Sequence, residues 1–410
     1  MSKLLQIEEP KTTAIQHQAS LQDFLELGFR PLYLVGTFWA IVAVLAWVFV
    51  PTWLQGRLTG GYWHAHEMVW GFIGAITVGF LLTATKNWTG HNPLQGKKLG
   101  ALVSIWLIAR VALLIPGDWG FAIGSLASLG FYAWATAAVA RCLLITRNKH
   151  NYILPVLLAA LVFSEAAFLY TYWRASEYTQ LMHYLFTGML CMLTVALLIA
   201  RRIIPFFASR ALQGLALPRH ERSGKVQTGL AALAILSWLL AMDRLSALLF
   251  LAAALITLWH LLTWKPQKVL KTPLLWILYV GYLGLGLGLC TAALYAAGLT
   301  TRLSWPVHVI AVAGFSTLIL GMVTRTALGH TGRLLQISPI LVAAFALLLI
   351  AVIFRMLALG ANTSNIFWLY ASAGCWALAF GIYLVKFFPI LTQPRLDKRS
   401  GKPINLSRSS

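Results

Sequence analysis

Apolar residues in this chain run in blocks of about twenty, separated by short polar stretches. A helix crossing ~30 Å of hydrocarbon needs about 20 mostly apolar residues at ~1.5 Å each. Reading for such blocks predicts helices near 31–50, 66–84, 99–115, 120–140, 152–172, 181–200, 227–241, 245–263, 274–297, 305–324, 338–358 and 364–386. The pair near 227–263 is parted only by Asp243 and Arg244. The pattern therefore predicts an all-α, polytopic membrane protein of about twelve transmembrane helices. A polar or amphipathic segment (1–30) precedes the membrane domain (31–386), and a basic tail (387–410) follows it. The opening residues lack the build of a cleaved signal peptide, so the first helix is expected to be retained.

Composition agrees: 59% of the 410 residues are hydrophobic and 10% charged, against roughly 25% charged in soluble domains. The formal charge of +21 would raise nucleic acid as a partner if it were clustered. Instead, 26 of the 32 lysines and arginines fall on one side of the predicted membrane, four on the other, and Arg110 and Arg355 within spans. This is the positive-inside bias; it places both termini in the cytoplasm of a bacterial inner membrane and makes the bilayer, not nucleic acid, the partner of the charge. Tryptophans near predicted ends (Trp39, Trp47, Trp53, Trp63, Trp88, Trp305) read as an interfacial belt. The four cysteines form no CxxC pair and read as free buried thiols. Gly284-Leu-Gly-Leu-Gly288 lies inside an apolar block with no preceding strand, so it predicts close helix packing, not a dinucleotide loop.

The second, sixth and tenth helices begin with histidine at the outer face: His64 and His66, His183, His308. Each ends in a polar or basic motif at the inner face, which suggests three tandem four-helix units. Such units would set the outer histidines around one shared site. Ionisable groups within a membrane are costly and point to function. Imidazole is a common ligand of haem iron and copper, so His64, His66, His183 and His308 are candidate metal ligands, against the plainer reading of interfacial histidines. At ~100° per residue, His64 shares a face with Glu67, and the stripe below it (Gly71, Gly74, Ala75) is bare enough for a flat macrocycle or a close helix. Glu67 is the best proton-handling candidate. His17, His150, His220 and His260 read as solvated or interfacial. At the inner face, Arg201, Arg202, Arg325 and Arg333, with His91 and His330, read as orientation charge and helix capping. The sharper reading pairs these cations with the carboxylates of an anionic ligand such as haem propionates, or with a quinone oxygen.

Several runs resemble the NnrS family of bacterial membrane proteins. They are Leu27-Gly-Phe-Arg-Pro-Leu-Tyr-Leu34, Trp63-His-Ala-His-Glu-Met68 with Gly71-Phe72, Gly79-Phe-Leu-Leu-Thr-Ala84, Asn87-Trp-Thr-Gly90, Arg201-Arg-Ile-Ile-Pro-Phe-Phe207 and Met322-Val-Thr-Arg-Thr-Ala-Leu-Gly-His-Thr-Gly-Arg333. The resemblance spans the first helix to the tenth. It implies haem and copper as cofactors and a role in denitrification and nitric oxide response, relieving nitrosative stress. Lys86 stands where the family pattern has proline, which touches the local turn alone. The architecture also looks like the haem–copper oxidase core. However, the seventh helix lacks histidine and the tenth carries one where the oxidases place two. A single haem between His64 or His66 and His308, with copper near His183, is the compatible arrangement.

The leading expectation is thus a haem/copper membrane protein that binds nitric oxide or moves electrons, with a quinone or other redox donor as a further partner. The alternatives are a transporter of a metal, haem or small anion, and an oxidase-like nitric oxide reductase. A transporter favours binding groups at mid-membrane, whereas here the polar groups gather at the two faces.

Overall fold

The computed structural model describes residues 19–175, 177–360 and 366–396. Most of the expected N-terminal segment, His17 included, and the tail from 397 lie outside the described residues. Within them, regular structure is helical throughout and no strand occurs.

Twelve long helices follow one another: α1 Phe29–Phe49, α2 Gly60–Thr89, α3 Lys97–Ala112, α4 Asp118–Ile145, α5 Ile153–Trp173, α6 Tyr178–Ala211, α7 Glu221–Leu239, α8 Asp243–Thr263, α9 Pro273–Ala296, α10 Ser304–His330, α11 Pro339–Ala358 and α12 Ile366–Thr392. Ten of these, among the described residues, are long and apolar enough to cross a membrane. The exceptions are α3 and α7. At 16 residues α3 reaches only about 24 Å, and α7 opens with the polar run Glu221-Arg-Ser-Gly-Lys225. Each predicted apolar block is a helix; length and local polarity set these two apart.

The second, sixth and tenth helices lie at the centre: 83%, 72% and 72% of their apolar windows are buried. Two of them share an unusual build. Both α2 and α10 open with α-helical turns carrying histidine, widen into π-helix over Glu67–Ile73 and Val309–Ser316, then return to α-helix. A wide turn bends carbonyls off the helix axis, and in hydrocarbon those carbonyls need donors. In α10 the hydroxyl of Ser316 donates to the Ala311 carbonyl at 2.9 Å, five residues back. In α2 the donors come from neighbours: Trp106 Nε1 donates to the Gly71 carbonyl at 3.2 Å, and the Tyr132 hydroxyl to that of Trp70. The threefold pattern stops there, since α6 is α-helical from end to end.

Glycines set the closest approaches. A β-carbon at Gly284 would run into the Ala313 carbonyl, and one at Gly288 into Ile310. The glycine run of α9 thus packs against the π-helical stretch of α10, as the sequence suggested. At the other end of α2, Gly90 takes φ 73° and its N–H closes the helix on the Lys86 carbonyl at 2.8 Å.

Candidate functional site

The two histidines of α2 enter different surroundings. His66 is fully buried, and each ring nitrogen faces a carboxylate: Nδ1 lies 2.9 Å from Glu67 Oε1, and Nε2 lies 3.1 Å from Glu165 Oε1 on α5. An ionised carboxylate oxygen only accepts, so between two of them the ring donates from both sides. Glu67 Oε2 accepts from Arg110 Nη1 at 2.7 Å and from Trp39 Nε1 at 2.5 Å. Arg110 Nη2 donates to Ser128 Oγ at 2.8 Å, and that hydroxyl donates to Glu165 Oε1 at 2.5 Å. Five helices, α1 to α5, thereby close one ring of polar groups, every member 8% exposed or less. With the imidazole charged, two cations balance two carboxylates, the condition under which such a cluster is tolerated in low dielectric.

His64 faces the other way. Its ring stacks on Trp47, centroids 5.7 Å apart and planes 18° from parallel. Its Nδ1 is buried without a partner. It lines a cavity of about 480 Å³ enclosed by α1, α2, α6 and α10 to α12. His308 lines the same cavity. The His308 Nδ1–H donates to the Ser304 carbonyl at 2.7 Å, which leaves Nε2 as the acceptor, and Arg355 Nη2 donates to it at 2.6 Å. A ring held at Nδ1 by a backbone carbonyl with Nε2 unprotonated is the arrangement metal-binding histidines adopt, and here Arg355 occupies that nitrogen. The remaining walls are largely apolar, with thioethers from Met68, Met182 and Met189.

Three expectations about α1 and α2 need correction. Glu67 sits on the flank between the histidines, and its carboxylate turns to Arg110, Trp39 and His66, not to His64. The bare stripe does not hold a ligand: a β-carbon at Gly74 would collide with the Tyr132 hydroxyl, and one at Gly71 would lie 2.8 Å from Arg110 Nη1. Close neighbours occupy it, and the cavity lies along Ala65, Met68, Phe72 and Ile73 instead. Periodicity at 3.6 residues misplaces the stripe below His64 because the helix is π-wound over Glu67–Ile73. Trp39 and Trp63, read as interfacial, are buried.

The other predicted residues are dispersed. His183 does not line the cavity; it stacks on Trp238 of α7 with centroids 4.8 Å apart. The three outer histidines therefore do not share one site. At the opposite end of the bundle, Arg201 and Arg202 line a separate cavity of about 990 Å³. The Arg325 guanidinium lies 3.9 Å from the Phe207 ring centroid, and His330 packs at 5.5 Å from Phe29. His260 is fully buried, not solvated, because Ser223 Oγ and the stacked His220 ring, 4.4 Å away, cover it. Burial and Arg201 together hold the His220 imidazole below its ordinary pKa. Cys142 and Cys191 are buried, Cys290 and Cys375 partly so, and all four are free. Among the described residues no three histidine, cysteine or acidic side chains gather as a metal site.

Arg110, Glu165, Ser128 and Arg355 had no role in the sequence reading. The signal for the charged three was their presence inside otherwise apolar spans. Ser128, a neutral residue in an apolar helix, carried none.

Fold and site together define a polytopic helical membrane protein whose central helices separate an imidazole-lined cavity from a buried ion network. The family model described as NnrS protein matches residues 23–395, nearly the whole chain, and the chain belongs to the NnrS family. A search among curated proteins gives no match.

Proposed function

We propose that this NnrS-family protein serves the nitric oxide response from a bacterial inner membrane, as a haem- and copper-associated protein that binds nitric oxide or passes electrons. The observation that supports this most is the cavity in which His64 presents an orphaned buried nitrogen and His308 an acceptor Nε2. Its volume lies within the roughly 300–1,000 Å³ of small-molecule and cofactor sites. His64 and His308 would hold the haem between α2 and α10, and Arg355 would offer its guanidinium to the carboxylates of that group. When bound, haem supplies an iron that takes a diatomic ligand or exchanges an electron. The chain itself orients His308 through Ser304, fixes His64 against Trp47, and surrounds both with largely apolar walls that suit a small apolar molecule such as nitric oxide. For copper, the soft donors in reach of this cavity are Met68, Met182 and Met189 with the imidazoles. A membrane quinone or another redox donor would be the electron partner. His66 is assigned to the ion network, and Glu67 with it.

Transport through the bundle is the weaker reading. Midway along α1, α2, α6 and α10 lies a small cavity of about 70 Å³ with largely apolar walls, such as Ile76, Phe80, Val195 and Leu318.

A dithionite-minus-air optical spectrum with metal analysis of the purified, monodisperse protein tests the proposal. A Soret band that His64→Ala and His308→Ala diminish, and that folded His66→Ala retains, is the expected result. Well-folded protein without haem or copper would overturn it.

A further inference from the structure

The cavity at the other end of the bundle has a different chemistry. Met182 borders the first cavity and Arg201 the second, nineteen residues apart on α6, or about 28 Å along the helix. Lysine and arginine bias assigns the Arg201 end to the cytoplasm. The second cavity lies between the start of α5, the end of α6 and the start of α7. Lys149, Arg201, Arg202, Arg219 and Lys225 line it, with Glu221 the sole carboxylate among its lining residues.

Surface cations usually mark a solvated face, but Arg201 is 5% exposed and its Nε has no hydrogen-bond partner. Its Nη1 donates to the carbonyls of Arg219 and His220 at 3.2 and 3.3 Å, so the chain folds over the guanidinium. Gly224 makes the room: a β-carbon there would collide with Arg201. Arg202 is held by Asn151 Oδ1 at 2.5 Å, and its Nε is likewise buried and unpartnered. Among the described residues, no carboxylate lies within salt-bridge distance of either arginine. Two arginines are therefore positioned at carbonyl or amide oxygens, with Glu221 acting on Arg201 only at longer range and, among the described residues, no carboxylate in contact with either.

We propose that this cavity binds the phosphate of an anionic phospholipid headgroup from the cytoplasmic leaflet. The rim argues for a lipid over a dissolved anion. Phe206 lines the cavity and is 50% exposed; Val156, three residues beyond the lining Ile153 on α5, and Leu233, next to the lining Ala232 on α7, are exposed apolar side chains. The cavity thus opens where acyl chains would lie, and basic pockets between membrane helices on that side suit acidic headgroups. The site shares no residue with the His64 cavity, so its test is independent of the haem reading.

The test is native mass spectrometry of the full-length protein with cardiolipin, phosphatidylglycerol and phosphatidylethanolamine in competition, alongside melting curves with each lipid or with inorganic phosphate. The anionic lipids should be retained and should raise the melting temperature, whereas phosphatidylethanolamine should not. Lys149→Gln with Lys225→Gln, both exposed and safe for folding, should weaken anionic-lipid binding roughly five-fold per charge removed. Gly224→Ala, which dislodges Arg201, should abolish the preference while leaving the optical properties of the other cavity intact. Equal retention of all three lipids would overturn the proposal. So would lysine variants that bind anionic lipid as well as the unaltered chain. Stabilisation by inorganic phosphate without lipid preference would reassign the cavity to a dissolved anion and overturn the lipid assignment.

Discussion

His64 and His66 stand two residues apart on one helix and meet opposite fates. On the His66 face every ring atom that can bond does so, through Glu67 and Glu165, and five helices contribute to the closure. On the His64 face the ring is packed but not satisfied, and the space beside it is left open. A buried ring of ion pairs stabilises a particular packing of helices, although Glu165 Oε2 and Arg110 Nε within it are unpartnered. An unsatisfied imidazole on a cavity wall costs stability unless something binds there. Identical side chains thus separate into a fully bonded ring and an unbonded one by what surrounds them, and residue type alone does not reveal which is which.

The largest effect should come from breaking the ion network on the His66 side. Arg110→Met removes the guanidinium that balances Glu67 and leaves a buried charge uncompensated. A loss of about 3–5 kcal/mol is expected, read as a steep fall in melting temperature and in the yield of monodisperse protein. If Arg110→Met melts with the unaltered chain, the ring is not what holds α2 to α5 together.

Next in size is the exchange of the two histidines' consequences. His66→Ala strips a donor from each of two buried carboxylates; Glu165 Oε1 keeps the Ser128 hydroxyl and Glu67 Oε1 is left unsatisfied, at about 1–3 kcal/mol. His64→Ala removes no hydrogen bond and should cost less, about 0.5–1.5 kcal/mol from the lost ring stack. Ligand effects should run in the opposite order, with haem retention failing in His64→Ala and surviving in folded His66→Ala. Parallel losses of stability and haem in both variants would collapse the distinction.

Much of this architecture was legible. Each apolar block is a helix because hydrocarbon leaves a backbone few other ways to satisfy its polar groups. The centrality of α2, α6 and α10 also agrees with the histidine periodicity. The faces of α2 were not legible, because the helix leaves 3.6-residue winding at Glu67 for reasons that lie in α3 and α4, where Trp106 and Tyr132 supply the donors. Arg110 and Arg355 were visible as cations within spans, yet their partners depend on how α3 meets α2 and how α11 meets α10. Trp39 carries no mark in sequence to distinguish a membrane-belt ring from a donor to Glu67. His183 had the right spacing and the wrong direction, since the stack on Trp238 turns it toward α7.

The smallest effect offers the sharpest comparison, because aromatic rings flank both histidines. Trp47 stacks on His64 at 18°, while Phe168 lies over His66 at 6.0 Å and 23°. Either contact is worth about 0.5–1.5 kcal/mol, so Trp47→Leu and Phe168→Leu should cost similar stability. They should differ in what else they change. His66 is oriented by two carboxylates and needs no ring to hold it, so Phe168→Leu should leave any haem spectrum unaltered. His64 has no hydrogen bond at Nδ1, and Trp47 is the contact that fixes its plane. Trp47→Leu should therefore broaden the spectrum and weaken haem retention a few-fold without unfolding the protein. Combining each leucine variant with alanine at its histidine separates orientation from packing, since only contacting residues couple. A spectral response to Phe168→Leu but not to Trp47→Leu would reverse the assignment of the two faces.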